Sequence, residues 1–278
     1  MFELEEVARY RLDRAPLVQA LAQVRFPLIA HLQTIPGVAP LQDRLAELFP
    51  YMEQKHVQEI GLLVGPAGLA ASEGQSSITW EFTDDDGRLL VLTAGSATLS
   101  IGAQYAGIDD FAERFCSVLI ALGEIEQVRR CDRLGVRYLS LAEQAPGDEQ
   151  AWARWFRPEV VGWVGCGIVT SGDLVSSITQ TELAEAVAHR AADAPGEVHA
   201  LIRNGIVPAG AIVPGVPPTQ IEQPSYLLDL DLFVATPQRY DADAVGEQFL
   251  ALHGEIDRFF RWTLTPEGAD HFGLDEPV

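Results

Sequence analysis

The stretch Arg130–Leu141, RCDRLGVRYLSL, is the strongest predictor of the fold in this 278-residue sequence. It places apolar residues at near-alternate positions and includes β-branched and aromatic side chains, which is the pattern of a half-buried β-strand. Arg133 and Arg137 are evenly spaced within it, so both side chains point to the same face of the strand. The stretch lies near the middle of the chain and begins the second of two similar series of predicted elements.

The first series runs from Pro16 to Gln127. Three of its strands are joined by Asp-Gly and Gly-Ser dipeptides, which accept the positive φ angles of tight hairpin turns. Residues 51–75 show no clear period, and the segment GPAGLAASEGQ within them predicts a loop. In order, the series comprises a strand between Pro16 and Pro27, a helix over residues 40–49, the three strands, and a helix over residues 108–127.

The second series, from Arg130 to Leu264, follows nearly the same order. After the midpoint strand, the segment AWARWF predicts a short aromatic helix, and the apolar spacing near the end predicts a long helix over residues 243–264. Residues 182–197 allow a helix as well as a strand. The three strands predicted between these helices cover residues 167–183, 198–207 and 225–235.

Together the two series predict an α+β fold, in which long helices pack on a curved antiparallel sheet built from two βαβββα-like halves. Residues 1–128 form the first half and residues 129–278 the second. Each half alone would expose a sheet face and an edge, and packing the halves as one compact unit would cover both. The repeated order therefore predicts an internal duplication.

The charge of the chain is strongly one-sided, with 40 acidic and 19 basic residues and a formal net charge of −21. This charge argues against nucleic-acid binding, which needs a basic face. Two interpretations of the acidic excess stay open: it maintains solubility, or it binds a partner of basic character such as a toxin. Carboxylates cluster in the sequence only at Asp84–Asp86, where the pattern predicts a turn.

The sequence also bears on the cellular compartment. No apolar run reaches the roughly 20 residues of a membrane-spanning helix. The first residues, MFELEEVARYRLDR, lack the layout of a secretion signal, so we expect a cytoplasmic protein that does not bind a membrane. The three cysteines have no CxxC spacing, which favours buried free thiols.

The chain carries no recognisable catalytic or cofactor motif. Phosphate-binding GxxxxGK[ST] and GxGxxG loops, a GxSxG nucleophile elbow and an HExxH zinc motif are all missing from the sequence. The six histidines are dispersed without metal-ligand spacing. We therefore predict no catalytic residue, metal or cofactor, and an enzyme is the less favoured class.

Charged residues on two predicted strands form a candidate ligand-binding site. Asp229 and Asp231 share one face of their strand, as Arg133 and Arg137 do on theirs. One interpretation is a structural network of ion pairs. The other is a site in which guanidinium groups hold an anionic ligand. The candidate ligand-binding residues are Arg25, Arg133, Arg137, Tyr138, Asp229 and Asp231.

The segment Arg133–Tyr138, RLGVRY, resembles the start of the R-x-G-x-R-Y-[IV]-N strand motif of a sporadically distributed, functionally uncharacterised bacterial protein family. Ser140 stands where that motif has Asn, so no role of the Asn carries over. The resemblance covers nearly the whole chain and implies architecture and a bacterial cytoplasmic setting, but no reaction. Further matching residues are Pro16–Leu17, Arg25–Pro27, Phe49–Pro50, Asp229–Asp231, His253 and Phe259.

These observations favour a non-enzymatic binding protein of the bacterial cytoplasm. Its partner would be a basic protein, for example in a conflict or stress system, or a second copy of the chain in a homodimer. The alternative is a small-ligand-binding protein or an enzyme that uses the face lined by arginine and aspartate. A third class, nucleic-acid binding, would need a local basic stripe that the total charge disfavours.

Overall fold

The structure is a computed structural model that describes residues 1–4, 10–65, 68–143, 151–166, 174–187, 196–213 and 221–275. The strands are Arg11–Leu12 (β1), Leu17–Arg25 (β2), Tyr51–Gly65 (β3), Gly68–Thr83 (β4), Leu89–Leu92 (β5), Ser96–Ile101 (β6), Arg130–Cys131 (β7), Arg133–Glu143 (β8), Ser177–Val187 (β9), Gly196–Val207 (β10), Ser225–Val234 (β11), Gln238–Arg239 (β12) and Leu274–Asp275 (β13). The α-helices are Ile35–Leu45 (α1), Ile108–Glu124 (α2), Ala151–Trp155 (α3), Pro158–Val161 (α4), Ala242–Thr263 (α5) and Pro266–Phe272 (α6). Short 3-10 helices cover Ala30–Gln33 and Gly162–Val164.

Nine strands form one antiparallel sheet in the order β3-β4-β5-β6-β2-β8-β11-β10-β9. With the α-helices packed on it, this sheet confirms the predicted α+β class. The midpoint strand β8 lies inside the sheet, between β2 and β11. The four strands β3 to β6 before α2 form one meander, and the three strands β9 to β11 before α5 form another. The predicted duplication of one half into two stays a prediction.

The chain divides into two compact units. The first unit comprises Ala22–Leu134 and Pro237–Glu247, and the second comprises Met1–Leu21, Gly135–Thr236 and Gln248–Val278. The predicted division of the sequence after residue 128 stays a prediction.

The first unit has a core of alternating strand residues and the apolar stripe of α2. Trp80 on β4 is buried, and its indole N–H donates to the carbonyl oxygen of Leu32 at 2.6 Å, which satisfies its polar group. Helix α2 ends at Glu124 rather than at the predicted Gln127, and Gln127 takes a left-handed φ of 52°. Other buried members are Phe82, Leu90, Leu92, Leu99, Ile101, Phe111, Phe115, Val118, Leu119 and Leu122.

The second unit has an aromatic core beneath α3, α4 and α6. Tyr226 on β11 is fully buried, and its hydroxyl donates to the carbonyl oxygen of Val160 at 2.7 Å and accepts from Asn204 at 3.1 Å. Burial raises the pKa of Tyr226 to about 12, although the Asn204 hydrogen bond opposes this. The core also contains Trp152, Trp155, Phe156 and Phe272.

The structure differs from the sequence prediction in three further places. Residues 51–65 and 68–83 form a paired hairpin, from Tyr51 opposite Thr83 to Gly65 opposite Gly68. The sequence predicts a strand only for residues 78–82 of this hairpin, and a loop or no clear element for residues 51–75. Backbone pairing with a neighbouring strand outweighs weak local propensity there. Helix α1 begins at Ile35, before the predicted residue 40, because the Thr34 hydroxyl caps it by accepting from the Gly37 N–H at 3.2 Å.

The third difference concerns residues 182–197, for which a helix was left open. Strand β9 extends through Val187, so the helical alternative is wrong for its first residues, and residues 188–195 lie outside the described part of the chain. Residues 167–173 of the predicted strand 167–183 also lie outside it. No helix within the described residues is long and apolar enough to cross a membrane.

Candidate functional site

A buried carboxylate on β11 binds a guanidinium on the neighbouring strand β8, in the second unit. The Nε atom of Arg137 donates to Oδ1 of Asp229 at 2.6 Å, and its Nη2 donates to Oδ2 at 2.8 Å. The side chain of Asp229 is 1% exposed and that of Arg137 is 17% exposed. This bidentate geometry is the strongest arrangement available to an arginine and a carboxylate.

A second guanidinium, which the sequence analysis missed, completes the arrangement. Arg203 on β10 lies directly opposite Asp229 in the strand register, and its Nη1 donates to Oδ2 of Asp229 at 2.9 Å. Its Nε donates to Oε1 of Gln180 on β9 at 3.0 Å. We call Arg137, Asp229, Arg203 and Gln180 the Asp229 network. It crosses four neighbouring strands and reaches the last strand of the sheet.

The Asp229 network holds its charges in place. Burial by itself would lower the pKa of Arg137, but the hydrogen bonds and charge of Asp229, with the charge of Asp231, outweigh burial and raise it. Asp231 is half-buried and lies opposite Leu201 on the same face of the sheet. Because three N–H donors already bind the two oxygens of Asp229, this carboxylate fills the place that an anionic ligand would take. The geometry is that of an ion-pair network.

The two other predicted arginines lie in the first unit and share a neutral partner. The Nε atom of Arg25 donates to Oε1 of Gln23 at 2.8 Å, and Nη1 of Arg133 donates to the same oxygen at 3.4 Å. The amide nitrogen of Gln23 donates to the Thr98 hydroxyl at 2.9 Å. We call Gln23, Arg25, Thr98 and Arg133 the Gln23 cluster. Arg25 is exposed and Arg133 is half-buried.

The structure therefore does not gather the six predicted residues into one site. Arg137 and Asp229 bind each other with Asp231 beside them, whereas Arg25 and Arg133 surround Gln23. Tyr138 points to the opposite face of β8, because side chains alternate along a strand, and its ring lies 5.4 Å from the ring of His253.

The acidic cluster Asp84–Asp86 is a folded turn, as the sequence predicted. Oδ1 of Asp84 accepts from the backbone N–H of Asp86 at 3.1 Å and of Arg88 at 2.8 Å. Its Oδ2 lies 2.9 Å from Nη1 of Arg88 and 3.3 Å from Nη1 of Arg114. Burial alone would raise the pKa of Asp84, but these arginines outweigh burial and lower it. This cluster stabilises the turn.

A different group of carboxylates lies on α2 and the start of α5, in the first unit. The helices pack closely at Gly246, where an added Cβ would lie 3.1 Å from Sγ of Cys116. Burial raises the pKa of the Cys116 thiol, and the charge of nearby Asp243 raises it further. We call the exposed residues Glu113, Asp241, Asp243 and Glu247 the acidic helix surface.

A cavity of about 330 Å³ lies in the second unit, away from the predicted residues. The rings of Trp155 and His271 stack along its wall with centroids 3.8 Å apart, and Arg14 and Glu143 also line it. Within the described residues, no group of three His, Cys, Asp or Glu side chains is placed to hold a metal ion, so we assign no metal ligand.

Comparison with known proteins adds no further assignment. The chain matches no model of a known protein family, and no curated protein sequence matches it. The resemblance drawn from Arg133–Tyr138 stays a prediction.

Proposed function

We propose that this chain is a non-enzymatic interaction protein of the bacterial cytoplasm that binds a basic protein partner through the acidic helix surface. One observation carries the proposal. The carboxylates of Glu113, Asp243 and Glu247 are exposed, and none of them forms an ion pair with any residue that the structure describes. The segment from Ala242 to Asp257 contains no lysine or arginine at all.

These carboxylates differ from that of Asp84, whose charge two arginines neutralise. Like charges that are held together without counter-charges repel one another, and a basic partner relieves that repulsion. Complementary charge also steers the two proteins together and rejects wrong partners. The net charge of −21 adds a long-range attraction for the same class of partner.

The alternative function, a ligand or reaction at the face lined by arginine and aspartate, has weaker support. The donors of Arg137 and Arg203 that an anionic ligand would use already bind Asp229. A ligand would have to displace a buried carboxylate, which would then lose its only charged partners among the described residues.

The test is native mass spectrometry of the tagged chain after gentle purification from its own host cells. The variant carries Glu113→Lys, Asp243→Lys and Glu247→Lys. A matched control carries Glu47→Lys, Glu159→Lys and Glu222→Lys, which change the net charge equally at exposed positions elsewhere. We expect a basic protein in fixed stoichiometry with the wild type and the control, and at least a tenfold loss with the variant.

Two results would contradict the proposal. One is that the wild type carries no protein partner under conditions of low salt. The other is that the variant and the control retain the partner equally, which would place the contact on another surface. Once the partner is identified, both proteins can be purified and their affinity measured at increasing salt concentration. We expect the affinity to fall as salt rises, because salt screens the attraction between opposite charges.

A further inference from the structure

Strand β9 is the last strand of the sheet and, among the strands that the structure describes, pairs on one side only. Its partner is β10, in a continuous antiparallel register from Ser177 opposite Ile206 to Val187 opposite Gly196. Every side chain from Ile178 to Ala186 is exposed. Both faces of the strand and its outer backbone edge therefore reach solvent.

This edge lacks most of the features that usually block strand pairing. Such features are charged side chains, above all Lys, together with Pro, a bulge, or charges that point inward, and β9 has only Glu182 and Glu185 among them. The sequence of β9, SITQTELAEAV, contains no Lys, Arg, Pro or Gly, and its register with β10 shows no bulge. Apolar Ile178 and Leu183 are 48% and 38% exposed. A strand of this kind is built to pair.

The opposite edge of the sheet makes the contrast clear. Strand β3 carries Lys55, whose amine binds Glu53 at 2.8 Å and Glu81 at 3.6 Å, and its register with β4 shifts between Gln58 and Ile60. A charged lysine and a bulge both discourage edge-to-edge pairing. The chain thus protects one edge of its sheet and leaves the other open.

We propose that β9 pairs antiparallel with β9 of a second copy of this chain, with Thr181 opposite Thr181 on the two-fold axis. In such a pair, a two-fold axis perpendicular to the sheet relates the two copies of β9, and residues that face each other lie on the same side of the sheet. The residue on the axis therefore faces the same residue of the second copy. Once that residue is chosen, the partner of every other residue of β9 is fixed.

Hydrogen-bonding complementarity selects Thr181 as the centre. Oε1 of Gln180 accepts a hydrogen bond from Nε of Arg203. The amide N–H groups of Gln180 therefore stay available as donors. The Thr181-centred register places Gln180 opposite Glu182 of the second copy, twice by symmetry, so each amide faces a carboxylate acceptor. Neither the Gln180 amide nitrogen nor the Glu182 carboxylate has another partner among the described residues. The Asp229 network thereby orients Gln180 for this contact.

Neighbouring registers are less favourable. Centring on Glu182 would place two carboxylates directly opposite each other, which is destabilising. Centring on Gln180 would put Ile178 opposite Glu182, and centring on Leu183 would put Glu182 opposite Ala184. In both registers the carboxylate of Glu182 would face an apolar side chain that offers it no hydrogen bond. With Thr181 at the centre, Glu185 faces Ser177, and no carboxylate of β9 faces another.

A second copy supplies a matched partner for this edge. Self-pairing gives Glu182 the amide of Gln180 at two places related by symmetry, while Glu185 keeps its salt bridge to the amine of Met1 at 2.9 Å. The inference uses β9 in the second unit, and it does not depend on the acidic helix surface. Either proposal can fail while the other holds.

The first test is sedimentation equilibrium of the purified chain at micromolar concentration. We expect a mass twice the 30.3 kDa of the chain. Thr181→Arg places two like charges at the axis and should weaken the dimer about 100-fold, because like-charge juxtaposition costs several kcal/mol. Leu28→Arg is the control, since Leu28 is 74% exposed and lies outside β9. A monomeric wild type would overturn the inference and leave the edge to a strand of another protein.

The second test fixes the register by disulfide formation. In a Cys166→Ser background, which removes the exposed thiol, Thr181→Cys should cross-link two copies under mild oxidation. Thr179→Cys should not, because it would face position 183, and two cysteines at 179 would lie about 13 Å apart, beyond disulfide reach. Equal cross-linking at both positions, or a dimer unaffected by Thr181→Arg, would also overturn the inference.

Discussion

Arg133 and Arg137 lie on the same strand and the same face, yet they have different partners. Arg137, in the second unit, binds the buried carboxylate of Asp229 through two hydrogen bonds. Arg133, in the first unit, donates to the neutral amide of Gln23, which it shares with exposed Arg25. The same residue type at equivalent positions thus takes part in two different kinds of interaction.

The difference shows that the partner, not the arginine, decides the role. A carboxylate removed from water needs nearly all of its hydrogen bonds and a counter-charge, so Asp229 holds two guanidiniums in place. An amide has no charge to compensate, so each hydrogen bond to Gln23 contributes only the modest energy of a partly exposed contact. The Asp229 network is therefore structural, whereas the hydrogen bonds to Gln23 contribute little to stability.

The largest effect that follows is the loss of Asp229. Asp229→Ala leaves two guanidiniums without their carboxylate and should lower the free energy of unfolding by about 3–5 kcal/mol. The measurement is urea denaturation followed by circular dichroism. Gln23→Ala is the control and should cost less than about 1 kcal/mol, because its hydrogen bonds are partly exposed. Similar losses for the two variants would remove the distinction between the regions.

An intermediate effect should come from changing the shape of the cation while keeping its charge. Arg137→Lys replaces a planar fork by a point charge and should cost about 1–2 kcal/mol, since only one of two hydrogen bonds survives. The same change at Arg133 should stay within about 0.5 kcal/mol. Urea denaturation of the two lysine variants measures both values. An Arg133→Lys loss as large as that of Arg137→Lys would show that the Gln23 cluster also depends on guanidinium geometry.

The sequence predicted those elements that have a regular apolar period. Alternation identified β2 and β11, and the 3.6-residue stripes of α2 and α5 placed both helices to within a few residues. The pattern misses β3 and the first half of β4, because the glycines, alanines and serines there form no such period, whereas residues 78–82 of β4 are predicted as a strand. Pairing between distant residues stabilises this hairpin, and a local pattern does not contain that information.

The candidate site was predicted only in part for a related reason. Even spacing placed Arg137 and Asp229 each on a defined face of its own strand. It gave no register between strands, because a periodic pattern within one strand does not say which residues lie opposite on the next. Arg203 was missed for that reason. Tyr138, by contrast, follows Arg137 directly, so alternation alone already assigns it to the opposite face.

The smallest effect concerns pH, and it distinguishes one carboxylate in each unit. Burial raises the pKa of Asp257 in the second unit, against a Tyr10 hydrogen bond and the charge of Arg258, whereas arginines lower that of Asp84 in the first. Relative to the unfolded chain, Asp257 therefore destabilises the fold once pH rises above its ordinary pKa of about 4, and Asp84 stabilises it there.

At neutral pH, Asp257→Asn should raise the urea midpoint and Asp84→Asn should lower it. Both differences should shrink as pH falls: the penalty at Asp257 disappears below the ordinary carboxyl pKa of about 4, and the stabilisation from Asp84 is lost as pH falls through its own lowered pKa. Midpoint shifts of the same sign for the two variants at neutral pH would contradict this assignment, because burial and ion pairing act on a carboxylate in opposite directions.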